Sequence, residues 1–223
     1  APSSTIDDYV RDHLGDNTAL YDLDLEALAA ARPDIVVSQA LCDVCAVATG
    51  DVRDAIRALP GGPALVDLTP NSLSDVLQDI LRVGDATDAQ TAARHLVGQL
   101  EARRDRVAER SAALEPSERP GVAFFEWLLP PFSGGHWNPE LVTLAGGRDL
   151  LGNPGQPSRT LEWSAITAAA PAVAFVACCG FTIERALTDV AAMQDHPAWQ
   201  ALPAVQSGRL YVADGNAFFS SPG

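Results

Sequence analysis

Basic side chains are scarce in this chain: 15 Lys and Arg stand against 29 Asp and Glu, a formal net charge of -14. Nucleic-acid backbones and anionic membrane surfaces are held by clustered cations, so neither is an expected partner. Long apolar runs are missing too. No stretch of about 18 apolar residues occurs, and a membrane-spanning helix is not expected. Four Cys in 223 residues do not make a disulfide framework; they fall as Cys42-x-x-Cys45 and the adjacent pair Cys178-Cys179, which leaves the redox compartment open. The chain has no GxSxG, no P-loop and no GxGxxG, and nothing in it pairs a nucleophile with a base. A zinc site built on Cys42 and Cys45 needs two more ligands, and a second CxxC or an HxxxH is absent. No catalytic residue and no metal site is therefore expected, and no cofactor acting as a catalyst.

Residues 87–115 lack Pro altogether and contain one Gly. Ala89, Ala92, Ala93, Leu96, Val97, Leu100, Val107 and Ala108 recur mostly at spacings of three and four, with Arg, Glu and Gln on the other side. That pattern predicts one helix of about 40 Å at roughly 1.5 Å per residue. Arg103, Arg104, Arg106 and Arg110 cluster on its solvated face, and Pro116 and Pro120 stop it.

The stretches on either side follow a strand, loop, helix grammar. Before the long helix, strands are expected at 34–38, as a buried strand, and at 64–68, with helices at 23–31, 51–59 and 73–82. After it, strands are expected at 121–127, 172–177 and 209–213, with helices at 139–145, 161–169 and 183–193, and 128–139 reads as a long loop. The fold class is α/β, two doubly wound lobes joined by a single interlobe helix: an N-terminal lobe at 1–86, the helix at 87–115, a C-terminal lobe at 116–223. One domain with a long central helix is the alternative. Two strands are too few for a parallel sheet buried on both faces, so the first lobe reads as incomplete at its N-terminus.

Open parallel sheets bind ligands at the carboxyl ends of their strands. Cys42 and Cys45 follow the first strand; Trp127, Phe132, His136 and Trp137 follow the third; Cys178, Cys179 and Phe181 follow the fourth; Asn216, Phe218 and Phe219 follow the last. His136, approached through Gly134-Gly135, reads as a packed loop histidine or as a ligand contact. Trp163 and Trp199 read as core. Cys178 and Cys179 point to opposite sides of an extended backbone, so one of them is expected to be buried. Cys42 and Cys45 read as structural or ligand-contacting thiols, with a redox pair and half a metal site as alternatives.

Several runs carry a family resemblance. They are Leu41-Cys42-x-Val44-Cys45-Ala46-Val47, Glu126-Trp127-Leu128-x-Pro130-Pro131-Phe132, Gly135-His136-Trp137-x-Pro139-Glu140-Leu141, Cys179-Gly180-Phe181, and the end from Asp214-Gly215-Asn216 to Pro222-Gly223. Together they resemble the cobalamin-binding (vitamin B12) branch of the periplasmic substrate-binding proteins that serve ABC transporters, over essentially the whole chain. The resemblance implies two α/β lobes bridged by one long helix. It also implies a corrinoid held between the lobes by Cys42, Cys45, Trp127, Phe132, His136, Trp137, Phe181, Asn216, Phe218 and Phe219, and delivery to an ABC permease. A haem or a ferric siderophore is the alternative cargo within the family, and a thiol redox protein using Cys42 and Cys45 the alternative outside it. A monomer is expected, located in the periplasm or at the cell surface; no signal peptide is visible, which keeps the cytoplasm open. Leu129 and Ser221 stand where the family pattern has an Asp and an Arg. A further strand-helix-strand unit at the start and a further helix at the end are usual in the family, and their lack here reads as a trimmed or a partly ordered chain.

Overall fold

The structure, a computed structural model, describes residues 3–15, 23–39 and 49–219. Of these, the residues within Asp8–Pro70 and Ser74–Leu100 make a smaller compact unit, and those within Ala1–Asp7, Asn71–Leu73 and Glu101–Ser221 a larger one.

The chain opens with α1 (Ser3–Gly15) and α2 (Leu25–Ala31), followed by β1 (Ile35–Gln39), α3 (Thr49–Ala58), β2 (Ala64–Leu68), α4 (Leu73–Ala86) and α5 (Gln90–Ala112). Local chemistry sets the ends of α2. The Asp24 carboxylate accepts from the Ala27 N–H at 2.8 Å, and Arg32 takes a left-handed conformation, φ 45°, just before Pro33. β1 and β2 pair in parallel, Ile35 opposite Ala64 through Gln39 opposite Leu68. α3 packs on β1, and Val52, Ala55 and Leu59 are buried. The expectation that β1 is a buried strand does not hold: none of its residues is buried, and Val37 is 51% exposed. Among the described residues the β1-β2 ladder has no neighbouring strand to close over it.

α4 runs four residues past its expected end. Asp88, φ 57°, turns the chain, and α5 returns against α4 so closely that a Cβ on Gly84 would collide with the Ala93 Cβ. α5 is shorter than its sequence pattern at both ends, since residues 87–89 form that turn and the chain beyond Ala112 enters the 3₁₀ turn Pro116–Glu118. There the Glu118 carboxylate accepts from the Glu115 N–H at 2.8 Å. At 23 residues α5 is about 35 Å long.

The larger unit holds β3 (Gly121–Leu128), β4 (Pro131–Ser133), β5 (Gly135–His136), α6 (Asn138–Leu144), β6 (Arg148–Asp149), β7 (Asn153–Pro154), α7 (Trp163–Ala169), β8 (Val173–Val176), α8 (Ile183–Ala192), α9 (Pro197–Gln200), α10 (Pro203–Gln206), β9 (Leu210–Val212) and α11 (Gly215–Phe218). Its main sheet runs β4-β3-β8-β9, with β6 also on β3; all pairings are parallel except β3 with β4. Both faces are buried, as parallel sheets require. Ala123, Phe125, Ala174 and Val176 pack with Ile166, Met193, Trp199 and Leu202 on one face. Val122, Phe124 and Phe175 pack with Val142 and Phe219 on the other. The stretch 128–139, expected as loop, contains β4 and β5. These segments are two or three residues long and include Pro131 and Gly135, which leaves no alternation for a sequence to display.

Candidate functional site

β3, β8 and β9 are neighbours and end at the same edge of the sheet, so the residues following them converge. At the end of β3 a register irregularity between Phe125 and Trp127 turns the strand, and Trp127 Nε1 donates to the Leu129 carbonyl at 3.1 Å. Phe132 on β4 is the register partner of Trp127. Beyond β8 the chain folds back at Gly180, φ 70°, where the Phe181 N–H donates to the Cys178 carbonyl at 3.0 Å. This turn carries the Phe181 ring to 4.9 Å from the Trp127 ring, tilted by 48°. Beyond β9, Asp214 caps α11 by accepting from the Ala217 N–H at 2.8 Å. The N–H groups of Gly215 and Asn216 both reach the Phe181 carbonyl, at 2.9 and 3.3 Å. Phe132, Trp127, Phe181 and Asn216 thus come together, and Phe218 on α11 is 74% exposed.

Cys42 and Cys45 are outside the described residues. Phe219 is half-buried and packs against the core, 5.2 Å from the Phe124 ring and 5.5 Å from that of Phe175. His136 is buried at φ 49°, a conformation uncommon for a residue with a Cβ, and its ring is 6.0 Å from that of Trp137. The strand ladder holds its backbone: its N–H donates to Gln156 at 2.7 Å, and its carbonyl accepts from Gly155 at 2.9 Å. Glu126 pins the same segment, accepting from the Gly135 N–H and from Asn138 Nδ2, each at 2.7 Å. Burial raises the Glu126 pKa above 4.5, and these bonds, with one from Ser158, pull it back. Of the adjacent cysteines, Cys178 is fully buried and Cys179 half-buried. Burial, and secondarily the nearby Asp189 charge, push the Cys178 thiol up to about 12, which removes it as a thiolate. Among the described residues no group of three or more His, Cys, Asp and Glu side chains is arranged to hold a metal ion.

A groove of about 510 Å³ lies along α6 and β6, lined by Arg119, Glu140, Arg148 and Asp149 among others. It opens beside the amino end of β3, where Gly121 pairs with Arg148, and no sequence candidate lines it. Parallel sheets bind ligands at the other end.

A family model for periplasmic binding proteins matches residues 8–217. The chain belongs to the periplasmic binding protein family. Members of that family are solute-binding components of ABC import, non-catalytic, and take small-molecule ligands. Solved binding proteins share the fold over most of the chain. A substrate-binding protein of an ABC transporter from Listeria monocytogenes EGD-e is 20% identical, with a TM-score of 0.72 over 87% of this chain and 72% of its own. A periplasmic heme binding protein from Pseudomonas aeruginosa is 19% identical, TM-score 0.68, over 87% and 68%. The periplasmic vitamin B12 binding protein BtuF of Vibrio cholerae is 15% identical, TM-score 0.64, over 86% and 69%. No curated protein matches the chain. No helix among the described residues of this binding protein is long and apolar enough to cross a membrane.

Two residues that the sequence did not single out stand beside Phe181 at the carboxyl edge of the sheet. The Arg185 guanidinium carbon lies 4.3 Å from the Phe181 ring centroid, and Arg185 Nη1 is 3.0 Å from the Asp189 carboxylate. Their signal in the sequence is a spacing of four on the helix that follows Cys179-Gly180-Phe181. Farther off, burial lowers the His136 pKa below its ordinary 6.5, so its imidazole is neutral at pH 7. Stability from a depressed histidine is present above 6.5 and lost as pH falls from there toward the folded-state pKa. Replacing His136 with Gln is expected to flatten the fall of melting temperature between pH 7 and 5. The raised Glu126 acts alike in both chains and cancels in the comparison; parallel pH profiles would show that burial does not hold His136 neutral.

Proposed function

We propose that this binding protein captures a corrinoid at the carboxyl edge of the larger unit's sheet and hands it to an ABC permease. The observation that carries the reading is the aromatic platform of Trp127 and Phe181, with Phe132 alongside and Phe218 exposed nearby. A large, partly apolar ring system is matched by half-buried aromatic faces with a few polar groups, such as Asn216, to orient it. The motifs from Glu126 to Leu141 and at Cys179-Gly180-Phe181 support the same cargo. The protein works as a monomer outside the cytoplasmic membrane, in the periplasm or at the cell surface.

Haem is the second reading, and Arg185 favours it: a guanidinium at the platform suits a ligand that carries carboxylates. A thiol redox activity has no support from membership in a non-catalytic family. The test titrates the purified protein in parallel with cyanocobalamin and with haemin, following tryptophan fluorescence and melting temperature. Saturable quenching and a rise in melting temperature with cyanocobalamin are expected. A response to haemin alone moves the reading to the second cargo, and no saturation by either up to high micromolar concentration overturns both.

A further inference from the structure

α8 carries a charge arrangement that works against the helix it belongs to. Arg185 sits in its first turn, just after the Thr182 cap, where the positive end of the helix disfavours a cation. A cation four residues before an anion is also the weaker order for a helical ion pair. Asp189 is 2% exposed. One of its carboxylate oxygens meets Arg185, and the other finds no hydrogen-bond donor among the described residues. Desolvating such a pair offsets most of its attraction, and an orphaned acceptor adds to the cost. Helix electrostatics therefore give little reason for this pair.

Their effect is geometric. The backbone of Phe181 is held at both of its polar groups, by Cys178 on one side and by Gly215 and Asn216 on the other. Its ring packs on the buried core and touches the Arg185 guanidinium and the Trp127 ring. Arg185 is in turn tied to Asp189 on the next turn of α8. Contact therefore runs in series from the buried carboxylate through the guanidinium and the Phe181 ring to Trp127. We propose that Asp189 is a positioning residue for the ligand edge: by holding Arg185 against Phe181, it fixes the platform of Phe181 and Trp127 on which the cargo rests. The inference builds on the corrinoid reading given above. A platform fixed before the ligand arrives spares the ordering of its side chains on binding, and removing the brace weakens affinity without removing any group the ligand touches.

The test is a double-mutant cycle on the purified protein, with dissociation constants for cyanocobalamin and melting temperatures measured side by side. Asp189→Asn and Arg185→Lys are each expected to weaken cyanocobalamin about tenfold, Arg185→Lys because an ammonium loses the planar stack. In a Phe181→Leu background the same changes are expected to alter affinity by less than about twofold, since the ring they brace is gone. If Asp189→Asn fails to fold, Arg185→Lys carries the cycle alone. Wild-type affinity in the variants, an undiminished loss in the Phe181→Leu background, or a lower melting temperature at unchanged affinity overturns the inference. Absence of cyanocobalamin binding by the wild-type chain overturns instead the reading on which it rests.

Discussion

Gly215→Ala is expected to destabilise the larger unit by roughly 3 kcal/mol, read as a fall of about 10 °C in melting temperature. A Cβ at this position would collide with the Cys178 carbonyl oxygen, with the carbonyl carbon behind it. Both are backbone atoms in the turn that follows β8, and a rotamer change cannot relieve the clash. The strand order brings the start of α11 against that turn, and Gly215 lets the two backbones meet closely enough for its N–H, and that of Asn216, to reach Phe181. Alanine forces them apart and weakens two hydrogen bonds with the packing beneath them. Because Asn216 and Phe218 ride on α11, the same change is expected to weaken cyanocobalamin. A melting temperature within about 2 °C of wild type would show that the contact yields at little cost.

Trp127→Ala is expected to lose about 2 kcal/mol of corrinoid affinity, roughly thirtyfold in the dissociation constant. Trp127 is the register partner of Phe132 and is in ring contact with Phe181. Its indole N–H is already committed to the Leu129 carbonyl, so under the corrinoid proposal the ring would contribute an apolar aromatic surface, not a hydrogen-bond donor. Trp127→Phe is expected to keep most of the affinity, since it preserves an aromatic face and loses one hydrogen bond. Equilibrium dialysis followed by the visible absorbance of the corrinoid measures both without relying on tryptophan emission. An alanine variant that binds as well as wild type would remove the platform from the account of binding.

The elements that could be read from the sequence are those whose side chains are forced into a pattern over several residues. β2 falls on the expected 64–68, and β3 on the expected 121–127 with Leu128 added, because continuous apolar and aromatic runs between turn residues leave few alternatives. β4 and β5 were hidden because a three-residue and a two-residue segment, one containing Pro131 and the other Gly135, carry no period. β1 misled in another way: Ile35, Val36 and Val37 promise burial, but burial is decided by what covers a strand, and that is absent from the strand's own letters. The same division runs through the candidate site. That Trp127 and Phe181 would stand at one sheet edge was legible, since each is an aromatic just at or beyond the end of a parallel strand. Phe218 and Phe219 are adjacent and alike in the sequence, yet one is exposed on α11 and the other packs against Phe124 and Phe175; the turn of the chain separates them. Arg185 and Asp189 look like an ordinary surface pair at helical spacing, and their meaning appears only with Phe181 in place above them.

The hydrogen bonds from Gly215 and Asn216 to the Phe181 carbonyl join the loop after β8 to the loop after β9. For anyone redesigning the cargo preference of this protein, the two loops are therefore a single unit of change. An inserted or deleted residue between Cys178 and Thr182 shifts the acceptor, one between Ala213 and Asn216 shifts the donors, and either alone unfastens both. Libraries that vary side chains at Phe181, Asn216 and Phe218 while keeping both loop lengths explore new ligands on an intact edge, whereas loop grafts must replace the two segments together.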